Sequence, residues 1–575
     1  MFNIVTTKDP NLWSRDQLNI LCGPWILDDS LGKLDNFILS DYHWKNKEKV
    51  VRDIEYIKKN YEKILFDLSN SLNNYHKKNY PIRYWEILLS PWLLSVIVTL
   101  FDRWEIINGI KNKYEKLSSK FIKYSDLDFI PVDTEDFVKN KMYSDDWNHW
   151  VFYNIIIFLG DIQTKEIVKI NFSDKENKFY KPAFKKSYFS YFVNYINNFF
   201  LKNDFFCKNL YLSRMLKIKL YLNFLQLPLS FSSPSIEISK PNIKERLKLN
   251  FNYKNDDQFL IFFYEFVKLN IPIIFLESYE HLENTYSELN WPKNPKVIVT
   301  SISHFEDEIF KIYTAKNILK KSKFYIFQHG GVYGSAKFAL GEYSEIKISD
   351  KFFSWGWGNN SNKVIRSFIS TVYKKKIKKD LFPKGVLISL TEFHKYPGRI
   401  DSGPRIYLDP FMQNLLNFIK ALDTDIIGNS CIKYKSLLGY DHIKNFLQKN
   451  GPQIRFLESS KPVYELSKKF KIIVETVNST GLLESLSLNI PVIFIYSDND
   501  FTIRDEALYY FDMLKNVKIL HDNPDNAAKF INNIYNDVDK WWLSKDLQMI
   551  REIFCNEYAN SNKNSFKKFL KEIKN

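Results

Sequence analysis

Two stretches of this 575-residue chain combine side chains suited to acid–base and anion-binding chemistry. The first is "FYIFQHGGVYG", residues 324–334. An apolar run fit for a buried strand ends on Gln328 and His329 and opens into a loop holding Gly330, Gly331 and Gly334. Histidine titrates near neutral pH and can take or give a proton. The glycines leave space for a ligand and bare their N–H groups to it. The second is "KIIVETVNSTGLLESLSLNIPVIFIY". Asn478 or Ser479 can cap the helix that begins there, Thr480 adds a hydroxyl, and Gly481 admits a close backbone. The unpaired N–H groups of that first turn, with the helix dipole, suit a phosphate. Glu484, on the same helix, can accept from a ribose diol. Packing alone offers a bland reading of each: a histidine in a tight turn, and a capped crossover helix.

A phosphate leaving group needs positive charge. Arg399 and Ser402 in "PGRIDSGP", Lys433 and Lys435 in "CIKYKS", and Arg504 in "FTIRDEA" are the basic or polar candidates. None of the acidic triplets follows an apolar strand as a metal-dependent transferase requires, and Asp498-Asn499-Asp500 comes nearest. We therefore expect a metal-independent site with no cofactor. If His329 is structural, Glu392, Asp401 and Glu475 are the next bases, because each follows or adjoins a strand end. There is no P-loop, no G-x-G-x-x-G, no H-E-x-x-H and no nucleophile elbow.

The elements that would carry these groups follow from the rhythm of apolar runs. Residues 2–7 predict a strand, and 35–260 read as mostly helical. After residue 270, "IPIIFLES", "KVIVTSIS" and "FYIFQH" predict short buried strands alternating with helices. The basic connection "TVYKKKIKKDLFPKG" (371–385) marks a boundary. Beyond it, "GVLISLT", "CIKYKSLL", "IRFLES", "KIIVET", "PVIFIY" and "VKILHD" predict six strands with crossover helices. The fold class is α/β and GT-B-like, with two facing doubly wound, Rossmann-like domains and a large helical N-terminal portion. Residues 1–375 form the acceptor side, with the helical insertion at about 35–260. Residues 376–545 form the donor-binding domain, and 546–575 a helical tail. Ligands of such sheets bind at the carboxyl ends of the strands, so His329 and Ser479 must lie within one donor's length of each other.

A net charge of +16 suits an anionic ligand, a nucleic acid or an anionic membrane. No RRM, KH or zinc pattern is present, so no nucleic-acid partner is expected. Four scattered cysteines suggest a reducing compartment. The N-terminus has no signal-peptide pattern, and Ile87–Phe101 is too short an apolar run to span a bilayer. The expected location is cytoplasmic. The run "KKKIKK" reads as a solvated linker or a peripheral contact with the inner membrane face.

The segment "ETVNSTGLLESLSLNIPVIFIYSDNDFTIRDEALYYFDMLKNVKILHDNPDNAAKFI" resembles a family of transferases from bacterial O-antigen and surface-polysaccharide loci, of leptospiral type. The likeness continues in "QHGGVYG", "EIKISDKFFSWGWG", "RIDSGP" and "RYWEILLSPWLLSVIVTLFDRW". More distantly it is similar to GT-B capsule and teichoic-acid transferases. The family's Pro-Gly before the small-Thr-Leu-Glu element is replaced here by Asn478-Ser479-Thr480-Gly481. The resemblance implies transfer of a sugar from a nucleotide-sugar donor to a glycan or lipid-linked glycan acceptor. His329 would then be the general base or the partner of the leaving phosphate. Donor phosphate would rest on Gly330, Gly331 and Asn478–Gly481, with Arg399, Ser402, Lys433 and Arg504 around it and Glu484 on the ribose. A polyol-phosphate transferase of teichoic-acid type, or a non-catalytic glycan- or nucleotide-binding protein, are the alternatives.

Overall fold

The computed structural model describes residues 1–27, 36–167, 192, 204–228, 231–251, 256–358, 361–378, 380–390, 394–398, 408–436, 442–496 and 503–574. The fold is mixed α/β and is built on three parallel sheets. The N-terminal sheet contains β1 (Phe2–Val5), β2 (Leu18–Leu21), β3 (Phe37–Leu39), β4 (Leu117–Ile122) and β5 (Gln163–Ile167), in the order β3-β2-β1-β4-β5. This sheet was not expected: its strands are short, and only "FNIVTT" (residues 2–7) was read as one.

Between β3 and β4 run α1 (Lys47–His76) and α2 (Ile82–Lys113). Among the described residues, α2 is the one helix long and apolar enough to cross a membrane, yet 94% of its apolar window is buried within the protein. A helix apolar on all sides needs cover on all sides. Here α1 and α3 (Asp145–Leu159) pack against it. A fully buried ion pair within it is tied to its neighbours. The Asp102 carboxylate accepts from Tyr42 Oη at 2.8 Å and faces His43 Nε2 at 3.1 Å. It also pairs with Arg103, whose Nε donates to Asn148 on α3 at 2.9 Å.

The second sheet has the order β10-β9-β8-β7-β6, comprising β6 (Phe205–Lys208), β7 (Val297–Thr300), β8 (Lys323–Phe327), β9 (Lys351–Ser354) and β10 (Val364–Arg366). The helix α4 (Leu340–Ile348) links β8 to β9. "IPIIFLES", expected as a strand, is instead a single 3-10 turn at Ile273–Phe275. The N–H groups of Ile273 and Ile274 donate to Pro131 and Val132 carbonyls at 2.9 and 3.0 Å, so they are not available to a sheet. A short apolar run looks the same whether a strand or a turn is buried. The edge strand is β6, within the stretch read as helical.

The third sheet has the order β13-β12-β11-β14-β15-β16, with β11 (Val386–Ser389), β12 (Cys431–Tyr434), β13 (Arg455–Glu458), β14 (Ile472–Glu475), β15 (Val492–Ile495) and β16 (Leu520–His521). All six fall within the six predicted runs. Here α5 (Thr480–Ser487) crosses from β14 to β15, and α6 (Asp505–Asn516) from β15 to β16. The tail then returns: α7 (Lys545–Tyr558) packs on α5 and α6, and α8 (Ser565–Lys574) covers the second sheet. Phe569 meets Phe327, Phe353 and Phe368 with ring centroids 5.2, 4.9 and 5.7 Å apart.

The α2 ion pair yields a stability test. Asp102→Asn strands the buried Arg103 charge, so the variant should lose about 3–5 kcal/mol of unfolding free energy in urea titration. A loss under about 1 kcal/mol would show that the pair is dispensable.

Candidate active site

The sequence-predicted histidine sits where β8 ends, and Gln328 holds it there. Gln328 is fully buried and its N–H donates to Phe353 O at 2.9 Å. Its Oε1 accepts from Trp355 N and Trp357 Nε1, both at 2.8 Å, and its Nε2 donates to Gly330 O at 2.8 Å. The loop is thereby fixed from inside, and the His329 side chain stays 22% exposed.

His329 Nδ1 lies 3.7 Å from Glu345 Oε2, on α4. The other oxygen of Glu345 accepts from Tyr333 Oη at 2.6 Å and lies 3.3 Å from His304 Nε2. Burial works to raise Glu345, but the His329 and His304 charges and the Tyr333 hydrogen bond outweigh it and hold the carboxyl below its usual range. An ionised carboxylate behind one ring nitrogen leaves Nε2 as the nitrogen turned away from it. That is the arrangement of a histidine set up to accept a proton. His304, Tyr333 and Glu345 were missed in the sequence. Tyr333 and Glu345 stood in quoted motifs but were given no role. His304 follows β7, and parallel neighbours place their following loops side by side.

The facing wall comes from the third sheet. Glu475 ends β14 and is buried at 1% exposure. Burial pushes its carboxyl up to about 8, against the pull of the Ser479 and Ser389 hydroxyls and the Lys433 charge. Ser479 Oγ donates to Glu475 Oε2 at 2.9 Å and accepts from Leu482 N at 3.1 Å, which caps α5. A Cβ at Gly481 would come within 2.3 Å of Glu475 Oε1, so any larger residue would displace that carboxyl. Lys433, at the end of β12, is half-buried, and burial lowers its pKa while Glu475 acts to raise it.

The two walls touch. Gly331 N donates to Thr480 Oγ1 at 3.0 Å. Asn478 Nδ2 donates to Ser335 Oγ at 2.9 Å, and Arg504 N to Ser335 O at 2.9 Å. Ala336 and Ile503 form an antiparallel bridge. His329, Gly330, Gly331, Asn478, Ser479, Thr480, Gly481 and, behind them, Lys433 are thus brought to one seam.

Several expected roles change. Gly331 and Gly334 do not leave room for a ligand: a Cβ on Gly331 would meet Thr480 N at 2.4 Å, and one on Gly334 would meet the Trp357 ring at 2.3 Å. Gly330 alone of the three faces open space. Arg504 is engaged, with its guanidinium donating to Ala336 O at 2.7 Å and to Glu342 at 3.1 Å. Glu484 is buried beside Thr371 and Lys375 of the connection, its carboxyl pushed by burial up to about 7, so the structure does not present it to a ribose. Arg399, Ser402, Glu392, Asp401 and Asp498–Asp500 lie outside the described residues. Just before Arg399, Tyr396 is buried in the N-terminal unit and donates to Asp145 at 2.6 Å.

Residues 2–573 match the family described as LIC12162 family transferase. The chain belongs to that family. No curated protein matches it. Among solved structures, the S. aureus MnaA–UDP structure is similar at 14% identity, covering 64% of this chain and 94% of the other, with a TM-score of 0.36. UDP-GlcNAc 2-epimerase from Neisseria meningitidis bound to UDP-GlcNAc is similar at 13% identity, over 64% and 99% of the two chains, with a TM-score of 0.35. The wall teichoic acid polymerase TagF is similar at 13% identity over 52% and 84%, with a TM-score of 0.28.

The transferase's Glu475 carries a pH signature. Folded, it keeps its proton up to about pH 8, whereas an ordinary glutamate releases it near 4.5. Its contribution is therefore complete below pH 4.5 and is lost as pH rises toward 8. Within that window, wild-type stability should fall with pH relative to Glu475→Gln, by up to about 1.4 kcal/mol per pH unit. Parallel urea midpoints for the two proteins across the window would show Glu475 ionised in the fold.

Proposed function

We propose that this transferase moves a sugar from a nucleotide-sugar donor to a hydroxyl of a growing bacterial surface polysaccharide, O-antigen or capsule, by metal-independent chemistry. The observation that carries this reading is the seam itself. His329, with an ionised carboxylate behind it, opens at the carboxyl edge of one sheet. It faces a capped helix start and a lysine at the carboxyl edge of the other.

In this reading the acceptor hydroxyl gives its proton to His329 Nε2 as its oxygen bonds to the anomeric carbon. The bond from that carbon to the donor phosphate breaks, and the phosphate oxygen keeps the electron pair. Lys433 and the N-terminal dipole of α5 meet the new negative charge. Gly331 covers the first turn of α5, so the diphosphate lies beside that turn, in the open space at Gly330. Glu345 positions His329 and stabilises its charged form. The metal-type cluster of His43, Asp53 and Glu105 has no part in this, because it is on the N-terminal unit and Lys49 Nζ already bridges Asp53 and Glu105 at 2.9 and 2.6 Å.

Two measurements test the proposal. Thermal-shift screening with CMP, UDP, GDP and their sugars should show one stabilising nucleotide, since a ligand at 100 times its Kd adds about 2.7 kcal/mol. Turnover of the matching sugar donor should fall about 10²–10⁴-fold in His329→Ala, with nucleotide affinity little changed. The rate profile should also lose its inflection near the histidine range, about pH 6–7. Turnover within a few-fold of wild type would make His329 structural. Release of CMP from a CDP-polyol, and of nothing from sugar donors, would replace glycosyl transfer with polyol-phosphate transfer.

A further inference from the structure

The connection between the second and third sheets holds two apolar side chains with nothing over them. Leu381 is 91% exposed and Phe382 is 83% exposed, more than any other large apolar side chain among the described residues. This tip is pinned at both ends. Asp380 N donates to Lys468 O and Lys384 N to Lys469 O, both at 3.0 Å. Pro383 stiffens the stretch between. Gly385 N then donates to Tyr535 Oη at 2.6 Å. At Gly385 φ is +67°, and a Cβ would come within 2.0 Å of Asn429 O.

Exposed lysines precede and follow the pair in the chain and lie on the segment that pins it. Lys374, Lys376, Lys378 and Lys384 belong to the connection, and Lys468 and Lys469 are on the segment that pins it. Acidic groups at the same edge include Asp380 in the connection, Glu465 on the turn before Lys468, Asp423 and Asp425 before β12, and Asp537 and Asp539 just after Tyr535. A loop of this kind is ordinarily polar. Two adjacent bulky apolar residues within a lysine field match the boundary of an anionic bilayer, where apolar tips enter the acyl region and ammonium groups stay with lipid phosphates. A two-residue tip is far smaller than the roughly 800 Å² per partner of a stable protein interface.

We propose that Leu381 and Phe382, with the lysines around them, dock this protein on an anionic lipid surface. The tip precedes β11, and Lys468 and Lys469 precede β14, so the docking face is at the amino edge of the third sheet. The seam at His329 and Thr480 is at the carboxyl edges and stays uncovered. The inference goes beyond the transfer reading and uses none of its residues.

Co-sedimentation with vesicles tests it, using phosphatidylcholine alone and phosphatidylcholine mixed with an equal part of phosphatidylglycerol. The full chain should bind the mixed vesicles, bind the neutral ones far less, and dissociate as salt rises. The double variant Leu381→Ser/Phe382→Ser should bind mixed vesicles at least about tenfold more weakly, with an unchanged melting temperature because both side chains are exposed. Lys468→Gln/Lys469→Gln should lose about fivefold per charge and flatten the salt dependence. Equal binding to neutral vesicles, no binding to either, or wild-type binding by the Leu381/Phe382 variant would overturn the proposal. So would a dimer in vesicle-free buffer that this variant converts to monomer, which would make the pair a protein contact. Donor turnover without vesicles should be unchanged in both variants. Its absence in a wild type that still binds vesicles would count against the transfer reading alone.

Discussion

The backbone of Gly331 lies against Ser479 and Thr480, and the rest of the seam depends on that closeness. A parallel sheet gathers all its strand ends at one edge, so two sheets share a site only if those edges meet. Here they meet through main chain, at a position where even a methyl group would collide. The flanking contacts are small and polar: Thr480 to Gly331, Asn478 to Ser335, and Arg504 to Ala336. Contacts of this type fix direction, while one continuous apolar core runs from the second sheet through α7 and α8 to the near side of the third. Gln328, held by two tryptophan N–H groups, transmits the rigidity of the second sheet to the loop and sets where His329 points.

Each side of the seam has one buried glutamate, and the two are held in opposite states. Two histidines and a tyrosine surround Glu345, and their combined effect exceeds the cost of burying a charge. Glu475 has hydroxyls and one half-buried lysine, which do not suffice, and it keeps its proton. Environment rather than residue type separates the two. The same distinction explains Glu484, which carries the expected residue type at the expected spacing but faces the connection.

The sequence made legible what depends on local pattern. Apolar runs bounded by breakers located every strand of the third sheet, and the Ser479 cap and the Gly481 close approach followed from neighbouring residues. It was less informative where long-range packing decides. "IPIIFLES" is apolar because it is buried, and its N–H groups are claimed by a loop some 140 residues earlier. The N-terminal sheet was hidden because its strands are only three to six residues long. Glu345 opens the quoted "EIKISDKFFSWGWG" but was given no role, nothing in its own segment marks His304, and only the sheet order brings the two to His329. Glycine was read as space at Gly331 and Gly334, whereas packing uses it there as contact.

The return of the tail has a consequence for the order of events during synthesis. The apolar face of the second sheet at Phe327, Phe353 and Phe368 is closed by Phe569, on a helix that follows the third sheet in the chain. While the ribosome is still making the third sheet, that face has no cover of its own. The two halves therefore do not mature as independent beads on a string. A helix made after the third sheet completes the older half, and a chain released before it would keep an open aromatic face for chaperones and proteases to find.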